Sequence, residues 1–185
     1  MRSPVDLVVP RGGQSHGDVG SVRINAVEHA RNRRGYNLVA LDPAGRVLGA
    51  ETFDTFFDPA AVRQLARWVA ALPPGSIVAG AVRDEASGRL DRTAIRALGT
   101  LGVRGDLRGR FRDSHAFVGV KGAAPGTALE DDGPRRISLV VGDADAAEFS
   151  GVGSVGLELT TFALRSGDRA GTDRPDANGG GAGGN

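Results

Sequence analysis

Two apolar runs, YNLVAL (36–41) and RVLGAETF (46–53), are separated only by Asp42-Pro43-Ala44-Gly45, and this tetrapeptide constrains the fold more than any other feature. Asp42 offers a side-chain acceptor at the first turn position, Pro43 fixes φ at the second, and Gly45 stands at the fourth. So short a connection forces its flanking strands to pair antiparallel. The chain is therefore committed early to an antiparallel sheet.

The segments that follow supply the layers around that hairpin. Asp58 and Pro59 suit the N-cap and first position of a helix, with Phe57 on Val62 as a hydrophobic staple. Val62, Leu65, Trp68, Val69 and Leu72 recur at helical spacing, and Pro73-Pro74-Gly75 stops them. SIVAGAV (76–82) is apolar enough to be an inner strand covered on both faces. A second helix is capped at Asp91, with Leu90 and Ile95 in staple positions and Ile95, Leu98 and Leu101 facing inward. VDLVV (5–9), SVRINAV (21–27), AFVGV (116–120), ISLVV (137–141) and VGLELTTFAL (155–164) read as further strands. Strands in the majority with two helices between them give an α+β class, with a mainly antiparallel sheet or pair of sheets.

At 185 residues with 40% apolar content, one globular domain over 1–165 is expected, followed by a disordered tail over 166–185 that holds glycines and no large apolar side chain. No apolar stretch approaches the roughly 18 residues of a spanning helix, which argues against membrane insertion. The opening MRSPVDLVVPRGG lacks the layout of a signal peptide. Of 23 basic residues only Lys121 is a lysine, and the arginines are dispersed, so nucleic acid is not an expected partner. The arginine bias suggests a GC-rich bacterial gene. Absence of cysteine removes disulfides, thiolate metal sites and cysteine nucleophiles, and leaves the compartment open.

Most local motifs have ordinary explanations. Gly151-Val152-Gly153-Ser154-Val155-Gly156 spells the dinucleotide pattern, but a strand follows it where a helix is required. His16, His29 and His115 are too scattered for a metal site. Asp143-Ala144-Asp145 with Glu148, and Glu130-Asp131-Asp132, lack the spacing of a calcium loop and read as solvated turns. No catalytic residues, metal or cofactor are therefore assigned; a hydrolase using Asp84 or Asp113 as base would lack a visible nucleophile or paired acid.

Two strand ends carry abrupt polarity: Arg83-Asp84-Glu85-Ala86-Ser87 after the inner strand, and Phe111-Arg112-Asp113-Ser114-His115-Ala116-Phe117 at the exit of a long glycine- and arginine-rich loop over 102–113. Their ordinary role is an ion pair, Arg112 with Asp84 or Asp113, tying the loop down. Their alternative role is to present side chains to a ligand.

NRRGYNLVALDPAGRVLGAETFDTF, LPPGSIVAGAVRDEASGRL, ALGTLG and FRDSHAFVGVKGAAPGTALE together resemble, in order and spacing, the interleukin-like EMT inducer domain, also called the PANDER-like domain, over about residues 19–130. The resemblance implies a compact β/α globule with two mainly antiparallel sheets flanked by helices. It implies a non-catalytic, mostly extracytoplasmic recognition module that binds a glycan or glycosylated partner. The alternative it leaves is a structural or protein-interaction domain, accessory to a bacterial glycosyltransferase or a cell-surface assembly. By resemblance to the family's sugar-binding stem domain, Asp84 and Arg112 carry over as ligand-binding residues, with Asp113 and His115 beside them. A carboxylate accepts from sugar hydroxyls, and a guanidinium donates in a planar fork. His115 stands where the family usually has tryptophan, which removes a broad apolar face from that position. The reading requires the strands ending at Asp84 and beginning near Arg112 to run antiparallel, so that both residues reach one end of the sheet.

Overall fold

A computed structural model describes residues 4–12, 19–134, 137–142 and 157–158. Among them are strands β1 (Leu7–Gly12), β2 (Val19–Gly20), β3 (Arg23–Ile24), β4 (Val27–Glu28), β5 (Gly35–Leu41) and β6 (Val47–Phe53), then helix α1 (Ala61–Ala71) and β7 (Ile77–Arg83). Helix α2 (Arg92–Gly99), β8 (Ser114–Val120), β9 (Leu129–Gly133), β10 (Ile137–Val141) and β11 (Leu157–Glu158) complete them. The putative-looking dinucleotide motif at 151–156, the acidic run at 143–148, His16, the tail over 166–185 and most of the strand read at 155–164 lie outside the described residues.

The hairpin forms where the turn chemistry places it. Gly45 N donates to Asp42 O at 2.9 Å, and Ala44 N to the Asp42 carboxylate at 2.9 Å. Around it grows a five-stranded sheet in the order β6-β5-β7-β8-β9, every neighbour antiparallel. Strand β7 is central as its composition demands: Val78 to Val82 are all buried, because both faces are covered. Tyr36, Leu38, Val78, Val82 and Phe117 point to one face, where they meet Val62, Leu65 and Val69 of α1 and Ala94 and Leu98 of α2. Val39, Leu41, Ala79, Ala81 and Ala116 point to the other, where Leu7, Val9, Val22, Ile24 and Leu139 of the second sheet cover them.

The result is three layers, helices on sheet on sheet, and mostly strand. Both helices lie on the same face of the five-stranded sheet, rather than flanking the pair of sheets. The second sheet runs β11-β10-β1-β3-β4 with β2 beside β1, and it is antiparallel except for the β10–β11 pair. Each fully buried leucine, such as Leu38, Leu65 and Leu98, contributes about 1.5–3 kcal/mol of transfer free energy to this core.

Three local readings change. SVRINAV is not one strand: Asn25 (φ 48°) and Ala26 (φ 66°) are both left-handed and fold it into the tight β3–β4 hairpin. Asn-Ala is a poorer signal for that turn than Asn-Gly, since alanine has no ready access to positive φ. Helix α1 begins one turn position later than expected, with Ala60 at its cap; Asp58 still accepts Ala60 N at 2.7 Å, while Phe57 is 64% exposed rather than buried as a staple. Finally, Glu130-Asp131-Asp132 is no solvated turn but the middle of β9, paired with β8 from Ser114↔Gly133 to Val118↔Leu129. Its acidity suits an edge strand, where charge discourages further pairing. The cap at Asp91 is as expected, its carboxylate accepting from Thr93 N at 2.6 Å and Ala94 N at 3.2 Å.

Candidate functional site

The antiparallel registers decide what meets at one end of the five-stranded sheet. Gly35 pairs with Arg83 and Ala81 with Ala116, so the start of β5, the end of β7 and the start of β8 lie side by side. Tyr36 pairs with Phe53, which adds the end of β6. Asp54, Arg34, Asp84 and the Arg112-Asp113 pair are therefore gathered along one rim although 79 positions separate the first of them in sequence, Arg34, from Asp113. The antiparallel arrangement that the reading of Asp84 and Arg112 requires is present.

Most charges on this rim are consumed internally. Arg34 grips Asp54 with two nitrogens, Nε at 3.1 Å and Nη2 at 2.7 Å from Oδ2, and this hydrogen bond raises the pKa of Arg34. Burial works to raise that of Asp54, but the bonds from Arg34 and from the Phe57 amide outweigh it and hold the carboxyl below its ordinary range. Asp113 is taken by Arg110 at 2.7 Å, and Arg110 also reaches Asp132. The pairing of Arg112 with Asp84 or Asp113 expected from the sequence is thus not made: Arg110, a neighbour in the same loop, holds Asp113 instead.

The long loop over 102–113 is pinned by two carboxylates that accept from its main chain. Glu85, 3% exposed, accepts Ala86 N at 2.8 Å and Ser87 N at 2.7 Å on Oε1, and Arg112 N on Oε2. Glu130 of β9 accepts Arg104 N at 2.8 Å and Gly105 N at 3.0 Å. Between these points Val103 and Leu107 are buried under the helices' face of the sheet.

His115 is fully buried and does not reach the rim surface. Its Nδ1 meets Tyr36 Oη at 3.2 Å and its Nε2 meets Glu130 Oε2 at 3.2 Å. Burial alone pushes the Tyr36 phenol far up, and the carboxylates of Asp106, Asp132 and Glu130 add to it. For Glu130 burial works upward, yet the bonds from His115, Gly105 and Arg104 prevail and lower its pKa. The imidazole thus positions the β9 carboxylate that holds the loop.

Two groups are left over. Asp84 is half-buried, at φ 58°, and its carboxylate has no hydrogen bond or ion pair among the described residues; Arg34 acts on it only through the field. Arg112 is exposed, at φ 63°, and its guanidinium lies 5.1 Å from the centroid of Phe111 with no carboxylate partner among the described residues. A left-handed backbone costs a residue with a side chain of order 1–3 kcal/mol, and such strain concentrates at ligand sites. Here both strained residues occupy adjoining strand ends. Sequence reasoning overlooked the aromatic groups around them, Phe56, Phe57 and Phe111, and the anchoring role of Glu85; a Phe-Phe pair just after a β-hairpin was the available signal.

An α+β domain of helices on sheet on sheet, whose loop-bearing rim exposes an unpaired acid and an unpaired base, has the build of a binding module. Residues 34–123 match the model of the interleukin-like EMT inducer family, and this segment is an interleukin-like EMT inducer domain. The chain is also similar to the cell migration-inducing and hyaluronan-binding protein of Homo sapiens, 34% identical over 105 residues. The same protein of Mus musculus matches at 34% over 105 residues. These alignments cover 56% of this chain and 8% of each relative, so the chain spans under a tenth of the length of the curated relatives it matches. Both relatives are named for binding and induction rather than for catalysis. No helix among the described residues is long and apolar enough to cross a membrane.

Proposed function

We propose that the chain is a non-catalytic recognition module that binds a glycan or a glycosylated partner at the rim carrying Asp84 and Arg112. The observation that carries this reading is the pair of uncommitted, opposite charges on left-handed backbone, set among neighbours whose charges are all engaged. An acceptor and a planar donor side by side match the hydroxyl and carbonyl groups of a sugar. Water already solvates both groups when free, so the binding free energy comes from fixed geometry rather than from new charge. The hyaluronan-binding name of the relatives supports a carbohydrate partner. In this reading Asp113 and His115 act behind the contact surface, Asp113 by engaging Arg110 and His115 by orienting Glu130.

The test is a glycan array probed with the full chain, with Asp84→Asn and Arg112→Ala alongside. Trp68, half-buried against Phe53 at 6.0 Å, reports by its fluorescence that each variant is folded. Binding to a defined glycan class, lost in both folded variants, is the expected result. Failure of the wild-type chain to bind any glycan, or binding untouched by both substitutions, overturns the reading.

A further inference from the structure

Phe57 and Phe111, 64% and 62% exposed, are the most exposed large apolar side chains among the described residues. They come from opposite sides of the rim, and half-buried Phe56 joins them. Its ring centroid is 5.4 Å from that of Phe57 and 6.3 Å from that of Phe111. Each end of this row carries a guanidinium: Arg34 lies 5.0 Å from the Phe57 centroid, and Arg112 5.1 Å from that of Phe111. Exposed aromatic rings on a soluble domain are costly and mark binding surfaces.

The row is held in place by the fold. Thr55 is buried and donates to Ala86 O at 2.7 Å, while Arg89 N donates to Thr55 O at 2.7 Å, which fastens the turn before Phe56 to the loop after β7. Gly88 leaves room for the Phe56 ring, since a Cβ there would stand 2.6 Å from Phe56 Cδ2. At the other end, Glu85 fixes the Arg112 amide next to Phe111.

The charges select among ligands. Arg34 is neutralised by Asp54, so the cation left for a ligand is Arg112, and the uncommitted anion is Asp84. Such a surface accommodates one carboxylate at Arg112 and repels a second near Asp84. Resting on the glycan reading above, we infer that Phe56, Phe57 and Phe111 form a stacking subsite for a glycan in which an acidic sugar alternates with a neutral one. The C–H face of a pyranose ring lies on the phenyl rings, its carboxylate is gripped by the Arg112 fork, and the neutral unit donates hydroxyls to Asp84.

The probes are a hyaluronan octasaccharide, the same octasaccharide with its carboxyl groups reduced to alcohols, and a heparin octasaccharide, titrated calorimetrically into the full chain. Phe57→Ser and Phe111→Ser change exposed side chains, so folding is preserved, and Phe111→Leu keeps apolar bulk without a ring face. The expected result is a tenfold or greater weakening of hyaluronan binding in Phe111→Ser and Phe57→Ser, only partly restored by leucine. Reduction of the carboxyls is expected to weaken the wild type by a similar factor and to abolish any further effect of Arg112→Ala. Heparin, with a sulfate opposite Asp84, binds more weakly than hyaluronan. If the serine variants bind within twofold of wild type while Asp84→Asn and Arg112→Ala do not bind, the stacking subsite is refuted and the glycan reading stands. Equal affinity for the acid and reduced forms refutes the acidic preference. If the wild-type chain binds none of the three and no glycan on the array, both inferences fall together.

Discussion

Replacing Glu85 with glutamine tests whether one buried carboxylate holds the rim together. Glu85 is 3% exposed, and its two oxygens receive three main-chain amides, Ala86 and Ser87 on one side and Arg112 on the other. Glutamine has the same shape but a single acceptor oxygen. If that oxygen stays on Ala86 and Ser87, the amide NH2 faces the Arg112 N–H, donor against donor. The lost bond is one to a charged acceptor, worth about 1.5–3 kcal/mol, and the two survivors weaken as the charge disappears. Against this, a neutral amide is cheaper to bury than a carboxylate. A net destabilisation of about 2 kcal/mol results, or a fall in melting temperature of about 5–10 °C for a domain of this size. Urea unfolding followed by Trp68 fluorescence measures the first quantity. Amide hydrogen exchange measures the second consequence, faster exchange at Arg112 with Val39 in the core unaffected. A stability loss under about 0.5 kcal/mol together with an Arg112 amide as protected as in the wild type would refute the argument.

Asp84→Gly and Asp84→Ala lose the same carboxylate, but only alanine keeps the strain at φ 58°, so the glycine variant should be about 1 kcal/mol more stable than the alanine variant in urea melts, with neither binding glycan. Gly80→Ala places a Cβ 2.4 Å from the Phe117 ring and 2.7 Å from Leu38 in the central strand, and overpacking of about 1–3 kcal/mol is expected from thermal unfolding. The carboxyls of Glu130 and Asp54 are lowered on folding, so the stability they contribute is complete above their unfolded values near about pH 4, and drains away as pH falls through the lower folded values. Glu130→Gln should therefore give a shallower loss of stability between about pH 4 and pH 2 than the wild type, measured as the unfolding midpoint at each pH. An unchanged acid slope would count against the account of Glu130.

The elements that were readable in the sequence are those fixed by local chemistry. Asp42-Pro43-Ala44-Gly45 specifies its turn, Asp91 its helix, and the apolar run before Arg83 its central place, because each decision is made within a few residues. What was not readable depends on partners far along the chain. Phe57 has a staple spacing to Val62, but Arg34 and Phe56 compete for its ring and keep it at the surface. The acidic run at Glu130 has the composition of a turn, yet β8 recruits it as an edge, where Glu130 finds His115 and two amides. Likewise Asp113 lies one residue from Arg112 and pairs with Arg110, since side chains of adjacent residues diverge while those three apart can meet. Asp84 and Arg112 could be singled out only through a family resemblance; the register of β7 against β8 is what puts them on one rim.

That register also accounts for how a twelve-residue loop can present side chains with useful constancy. A loop of such length carries many main-chain N–H groups with no sheet partner, and each must be satisfied or left to water. Here carboxylates from two different strand ends receive them, Glu85 after β7 and Glu130 in β9, and the second is itself steered by a histidine bonded at both nitrogens. Acceptance of backbone amides by buried carboxylates uses up anions that would otherwise attract Arg112. The side chains left outside, Arg112, Phe111 and Asp84, are then uncommitted because the interior acids are occupied. The left-handed backbone at Asp84 and Arg112 follows from the same arrangement: to bring Glu85 under the loop, the chain must turn sharply on both sides of it. A surface built in this way gains constancy from its interior bonds and keeps its exposed groups for a partner.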